Sequence, residues 1–99
     1  MAYKIIVTKN AEQDIEEIVT FLNQVWSRKT AEEFSLILIS KIELLTILPF
    51  LGKPSEKDAA IRRIIITKQN SLYYKIQQDN IVILNLLDNR KNPASNPYS

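Results

Sequence analysis

The residues best suited to do chemistry in this 99-residue chain are cations and tyrosines in its second half: Lys53, Lys57, Arg62, Arg63, Tyr73, Tyr74, Arg90, Lys91 and Tyr98. Arginines and lysines on a small sheet can neutralise phosphate, and aromatic rings beside them can stack on bases. The stretch "LLDNRKNP" (86–93) is the most pointed case. An apolar run, Ile81 to Leu87, stops and gives way to Asp88, Asn89, Arg90 and Lys91 before Pro93. Either this is a solvated exit loop, with Arg90 paired to Asp88, or the strand holds a cation out for binding or chemistry.

The composition narrows that chemistry. The chain has no histidine and no cysteine. This excludes imidazole acid–base catalysis, Ser-His-Asp and Cys-His nucleophile systems, and zinc sites built on Cys or His. No motif calls for a metal or another cofactor. Lys, Arg, Tyr, Asp, Glu and hydroxyls are left. The net charge of +2 hides an asymmetry. Residues 1–50 carry five cations against seven acids, and residues 51–99 eight against four. The basic half is therefore the expected surface for a polyanion or an acidic partner, unless its charges are simply solvated. Zero cysteines is compatible with a reducing cytosol. No stretch is apolar for long enough to span a membrane, and "MAYKIIVTKN" is too short and too early-charged for a signal peptide.

The elements that must position these residues follow from periodicity. "YKIIVT" alternates as a strand. Asn10 with Gln13 is the expected start of a helix reaching about Trp26, with Ile15, Ile18, Val19, Leu22 and Val25 on one stripe and Trp26 packed under the loop. Thr30 with Glu33 reads as a capping box for a second helix ending at Leu48, before Pro49. That helix carries surplus apolar residues, Leu36, Ile39, Leu44 and Ile47, which lie under the sheet or form a groove for a partner; the first is favoured. "PFLGKPSEKDAA" reads as a turn and loop. Three strands follow, 61–68, 71–77 and 81–87, with Asn70 and Asp79-Asn80 supplying the positive φ of tight hairpins. Connections so short force antiparallel pairing. The expected plan is β-α-α-β-β-β: one α+β domain over residues 1–99, with an antiparallel helix hairpin on one face of a mainly antiparallel sheet and a flexible tail from about residue 93. Tyr73 and Tyr74 are expected in the core, and Arg62 and Arg63 could serve as edge-strand charges that discourage aggregation.

This ordered set, with "PFLGKP", "IRRIII", "LYYKI" and the closing "NIVILNLLDNRKNP", resembles the RelE/ParE superfamily of toxins from type II toxin–antitoxin modules. The resemblance covers nearly the whole chain. It implies a cytosolic protein that blocks growth until a cognate antitoxin neutralises it, as a dimer or in a toxin–antitoxin hetero-oligomer. RelE-like members cut messenger RNA on the ribosome, whereas ParE-like members inhibit DNA gyrase. In the ribonuclease reading, a ribose 2′-OH attacks the adjacent phosphorus and arginines stabilise the charge on the equatorial oxygens. Arg62 then matches the strand arginine, with Arg63 as the alternative register, Arg90 matches the arginine after the last strand, and Tyr98 stands for the C-terminal tyrosine. Lys53, Arg63 and Lys91 are the candidates for contact with substrate or target. The pair of lysines that RelE-like enzymes carry before the strand arginine has no convincing match in Lys53 and Lys57, and Tyr98 sits where a frayed tail gives no supporting shell. The balance favours a ParE-like toxin, beside a RelE-like ribonuclease and an inactive member of the fold.

Overall fold

The computed structural model of the protein describes residues 2–90 and 95–98. Strand β1 (Lys4–Val7) leads into helix α1 (Lys9–Phe21), a π-helical turn (Leu22–Trp26) and helix α2 (Arg28–Ile47). The short β2 (Lys53–Pro54) and the strands β3 (Ile61–Ile65), β4 (Asn70–Gln77) and β5 (Asn80–Asp88) follow. The sheet order is β1-β5-β4-β3-β2, antiparallel except that β1 and β5 run parallel. The α+β plan read from the sequence is the fold observed, with one added strand. β2 was hidden inside "PFLGKPSEKDAA", because two residues containing a proline carry no alternation to detect.

The two helix starts are set two and three residues earlier than the sequence signals suggest. The Thr8 hydroxyl accepts from Ala11 N at 3.2 Å and also donates to Ile83 O at 2.8 Å, so the sheet itself fixes Thr8, not Asn10, as the cap. Ser27, not Thr30, caps α2: its hydroxyl accepts from Thr30 N at 3.0 Å, and Thr30 Oγ1 lies 2.9 Å from it. Between the helices, Ser27 N bonds Leu22 O, the wider i to i+5 spacing of a π turn. That extra residue takes Val25 and Trp26 off the apolar stripe, and both are exposed, Trp26 by 70%. The expected packing of Trp26 under a loop is therefore corrected.

The core lies between the helices and one face of the sheet. Ala11, Phe34, Leu38 and Leu45 meet Ile64, Leu72, Tyr74, Ile81, Ile83 and Leu86. Alternation along β3 to β5 puts these strand residues on the helix side. The surplus apolar residues of α2 do not join them. Leu36 and Ile47 are 66% and 72% exposed, and Ile39 and Leu44 are exposed as well, so the expectation that they lie under the sheet fails. The buried positions of this twenty-residue helix are Ala31, Phe34, Leu38 and Leu45 instead, with Ile42 packed partly buried beside them. The β4–β5 hairpin also differs in detail. Its loop is Gln78-Asp79, and Gln78 (φ 56°), rather than Asp79, Asn80 or Asn70, is the described non-glycine residue with positive φ.

Candidate functional site

Arg62 stands on the helix side of β3, opposite Tyr74. Its guanidinium donates to Gly52 O at 2.7 Å and to Phe50 O at 3.4 Å, and lies 4.9 Å from the centre of the Phe50 ring. Tyr74, fully buried, grips the same turn: its hydroxyl donates to Pro49 O at 2.8 Å and accepts from Gly52 N at 2.9 Å. Burial pushes the Tyr74 phenol above its ordinary pKa, against the opposing pull of the Gly52 N–H and the Arg62 charge. Gly52 has no room for a side chain, since a Cβ there would stand 2.7 Å from the Tyr74 hydroxyl and 2.9 Å from Arg63 O. "PFLG" is thus a turn clamped by two strand side chains, and Arg62 is one of the clamps.

Arg90 is occupied differently. Its Nε and Nη2 donate to the two carboxylate oxygens of Asp88 at 3.1 and 2.8 Å, and its backbone N–H donates to Asp88 Oδ1 at 2.8 Å. The hydrogen bond and charge of Asp88 raise the Arg90 pKa further above its ordinary value. The guanidinium remains largely exposed. Asn89 fixes this exit to the β3–β4 hairpin, donating from its backbone to Gln69 O and from its amide to Lys68 O, and accepting from the Ser71 hydroxyl. Asp88 pairs with Asn70 at the far end of the sheet. From Arg62, at about 3.3 Å per residue and 4.8 Å per strand, that end is on the order of 15–20 Å away. Arg62 and Arg90 do not converge on one point.

The other face of the sheet brings different candidates together. Lys53, Arg63, Tyr73 and Asn85 are successive cross-strand partners from β2 to β5. A register irregularity at Tyr73/Tyr74 leaves Leu84 without a partner on β4, the extra residue of a bulge. The Asn85 amide donates to Asp14 of α1 at 2.9 Å, and the same carboxylate oxygen accepts from Leu86 N at 3.0 Å. Tyr98 lies on this row. Its ring stacks on Tyr73 with centroids 4.7 Å apart, and its hydroxyl donates to Asn85 Oδ1. Burial chiefly, then the Asp14 charge and Tyr73, raise the Tyr98 pKa, so this phenol gives up its proton less readily than a free one. The Ser55 hydroxyl donates to Tyr98 O, Lys57 Nζ to Asn96 O at 3.3 Å, and the Asn96 amide to Tyr73 Oη at 3.0 Å. Tyr98, which the sequence places in an unsupported tail, has a supporting shell here.

Of the expected site residues, then, Lys53, Arg63 and Tyr98 share the open face, Arg62 points to the turn on the opposite side, and Arg90 sits apart at the sheet's end. Lys91 lies outside the described residues. Sequence reasoning passed over Asn85, although a lone amide inside "IVILNLL" is a visible break in an apolar run. Asp14 gave no signal among the four acids of α1.

The family model for the ParE toxin of type II toxin–antitoxin systems, parDE, matches residues 5–93. The chain belongs to this toxin family. Solved structures carry the same fold. Similar chains come from the chromosomal ParDE toxin–antitoxin system of P. aeruginosa (TM-score 0.75, 17% identity, 88% of this chain and 96% of that one) and the YoeB/ParE toxin of Agrobacterium tumefaciens (0.64, 15%, 86% and 97%). Another is a chain of the RelBE2 toxin–antitoxin complex of Mycobacterium tuberculosis (0.60, 17%, 89% and 99%). No curated protein sequence matches the chain significantly. Among the described residues of this ParE-family toxin, no helix is long and apolar enough to cross a membrane.

Proposed function

We propose that this toxin arrests growth in the cytoplasm by binding a protein target, DNA gyrase, and that a cognate antitoxin holds it inactive. The observation that carries this reading is the separation of Arg62 from Arg90. Cleavage of RNA through these two residues requires both to reach the equatorial oxygens of one phosphorane. Arg62 is committed to the Phe50–Gly52 carbonyls on the helix side, and Arg90 to Asp88 at the end of the sheet. A binding surface makes no such demand, since separate cations can each meet a different acid of a protein target. The antitoxin's place is the exposed apolar ridge of α2 and the following turn, Leu36, Ile39, Ile47 and Phe50, which an amphipathic segment can cover.

A ribosome-dependent ribonuclease is the second reading, and one observation favours it: Arg63, Lys53 and Tyr98 belong to the same face. Inducible expression in a bacterial host separates the two, with growth, messenger ends and DNA supercoiling read from the same cultures. Arrest with intact messengers and gyrase-type DNA damage is the expected outcome. Codon-phased messenger ends that vanish with Arg63→Ala would replace it with the ribonuclease reading, and undisturbed growth would leave an inactive toxin fold.

A further inference from the structure

The open face of the sheet carries contacts that recognise a peptide. Two donors on alternate residues, Ser55 Oγ and Lys57 Nζ, bond main-chain carbonyls of the tail, Tyr98 O and Asn96 O. The ring of Tyr73 offers a stacking platform, its hydroxyl accepts an amide, and Asn85 Oδ1 accepts a phenol. Asn85 is oriented for that task, because its amide nitrogen donates to Asp14 and its oxygen is turned to the tail. Tyr73 is only 3% exposed, although it faces away from the helices.

We propose that Ser55, Lys57, Tyr73 and Asn85 form a peptide-binding site, which the chain's own Asn96–Tyr98 segment fills in cis and which a tyrosine-bearing segment of another polypeptide fills by displacing it. Four features select a peptide: two carbonyls of alternate residues, a side-chain amide and a phenol. Exposed Lys53 and Arg63, next to Tyr73 across the strands, favour acidic residues flanking that tyrosine. The tail is held by side-chain hydrogen bonds and one ring stack, and none of its residues belongs to the buried core, so its release leaves the domain intact. The site goes beyond the toxin reading and stands whichever target the toxin acts on.

Self-occupancy lowers the apparent affinity for any competitor in proportion to the fraction of molecules with the tail down. The probe is the free peptide KNPASNPYS, residues 91–99, titrated by NMR into the full-length chain and into the full-length Asn96→Ala/Tyr98→Ala variant. With the tail docked nine-tenths of the time, the variant binds the peptide about tenfold more tightly than the unaltered chain does. Perturbed resonances belong to Ser55, Tyr73 and Asn85, and a peptide carrying Tyr98→Ala does not compete. Equal binding by both proteins overturns the proposal. So does tighter binding of the dinucleotide UpA than of the peptide to the variant, which would make this a base-stacking face. If the double substitution unfolds the domain, Tyr98→Phe decides. It keeps the stack but loses the bond to Asn85, so peptide affinity must rise above that of the unaltered chain, and no rise refutes the site.

Discussion

Single residues show how far the chemistry-bearing side chains are spent on structure. Arg62 looks like a free cation in "IRRIII", yet with Tyr74 it holds the "PFLG" turn, and Gly52 is there because the Tyr74 hydroxyl leaves no space for a methyl group. Gly52→Ala must push the tyrosine or the turn aside, at a cost of about 2 kcal/mol, typical of overpacking. Urea unfolding measures it, with a lower midpoint and an unchanged slope. Tyr98 gives a pH signature. Its pKa is raised when docked, so the docked state binds the proton more tightly than the free tail does. Docking is therefore at full strength below the ordinary phenol pKa of about 10 and weakens as pH rises through the elevated value. Backbone amide exchange or NMR shifts of residues 95–98 between pH 9 and 11 report this loosening. Tyr98→Phe, which has no phenol to titrate, flattens it. That Arg62 is a clamp was not legible from its neighbours in sequence, because the turn it grips lies ten residues earlier and is recognisable only once β3 is placed.

Among the elements, both helices, the β3–β4–β5 run and the apolar stripe of α1 were legible because periodicity is local. What was missed depends on contacts distant in the chain. Thr8 wins the cap from Asn10 because β1 must end where β5 can receive the Thr8 hydroxyl, 75 residues away in sequence. Thr8→Ala is expected to destabilise the domain by about 1–2 kcal/mol, through loss of a cap and of a bond to the sheet, and Asn10→Ala by less than about 0.5 kcal/mol. Thermal or urea unfolding of the pair distinguishes them. The π turn has no sequence signature at all: the apolar spacing continues through Val25, and only the Ser27 to Leu22 bond reveals that the helix has widened. Asp14, one acid among four, acts as an edge cap for β5 where β1 has run out, bonding Leu86 N as a neighbouring strand would.

At the scale of the whole molecule, one sheet face is sealed by helices and the other is crossed by the chain's own end, while α2 turns a row of large apolar residues outward. Exposed side chains of this kind contribute little to folding, so Leu36→Glu and Ile47→Glu should each change stability by no more than about 0.5 kcal/mol. The same substitutions should weaken neutralisation by the antitoxin, read as persistent growth arrest when toxin and antitoxin are co-expressed. The family and the α+β plan were legible in the sequence; the outward ridge was not, because an apolar residue looks the same whether it faces a sheet or a partner. The parallel pairing of β1 with β5 also governs how the protein comes into being. β5, second from the β1 edge of the sheet, follows every other described strand in the sequence, and β1, some 75 residues earlier, has its place only beside it. A nascent or truncated chain that stops short of residue 80 lacks the strand on which β1, β4, Thr8 and Asp14 all close. Interrupted synthesis therefore yields chains that cannot close this sheet, and the fold exists only once translation has passed through β5.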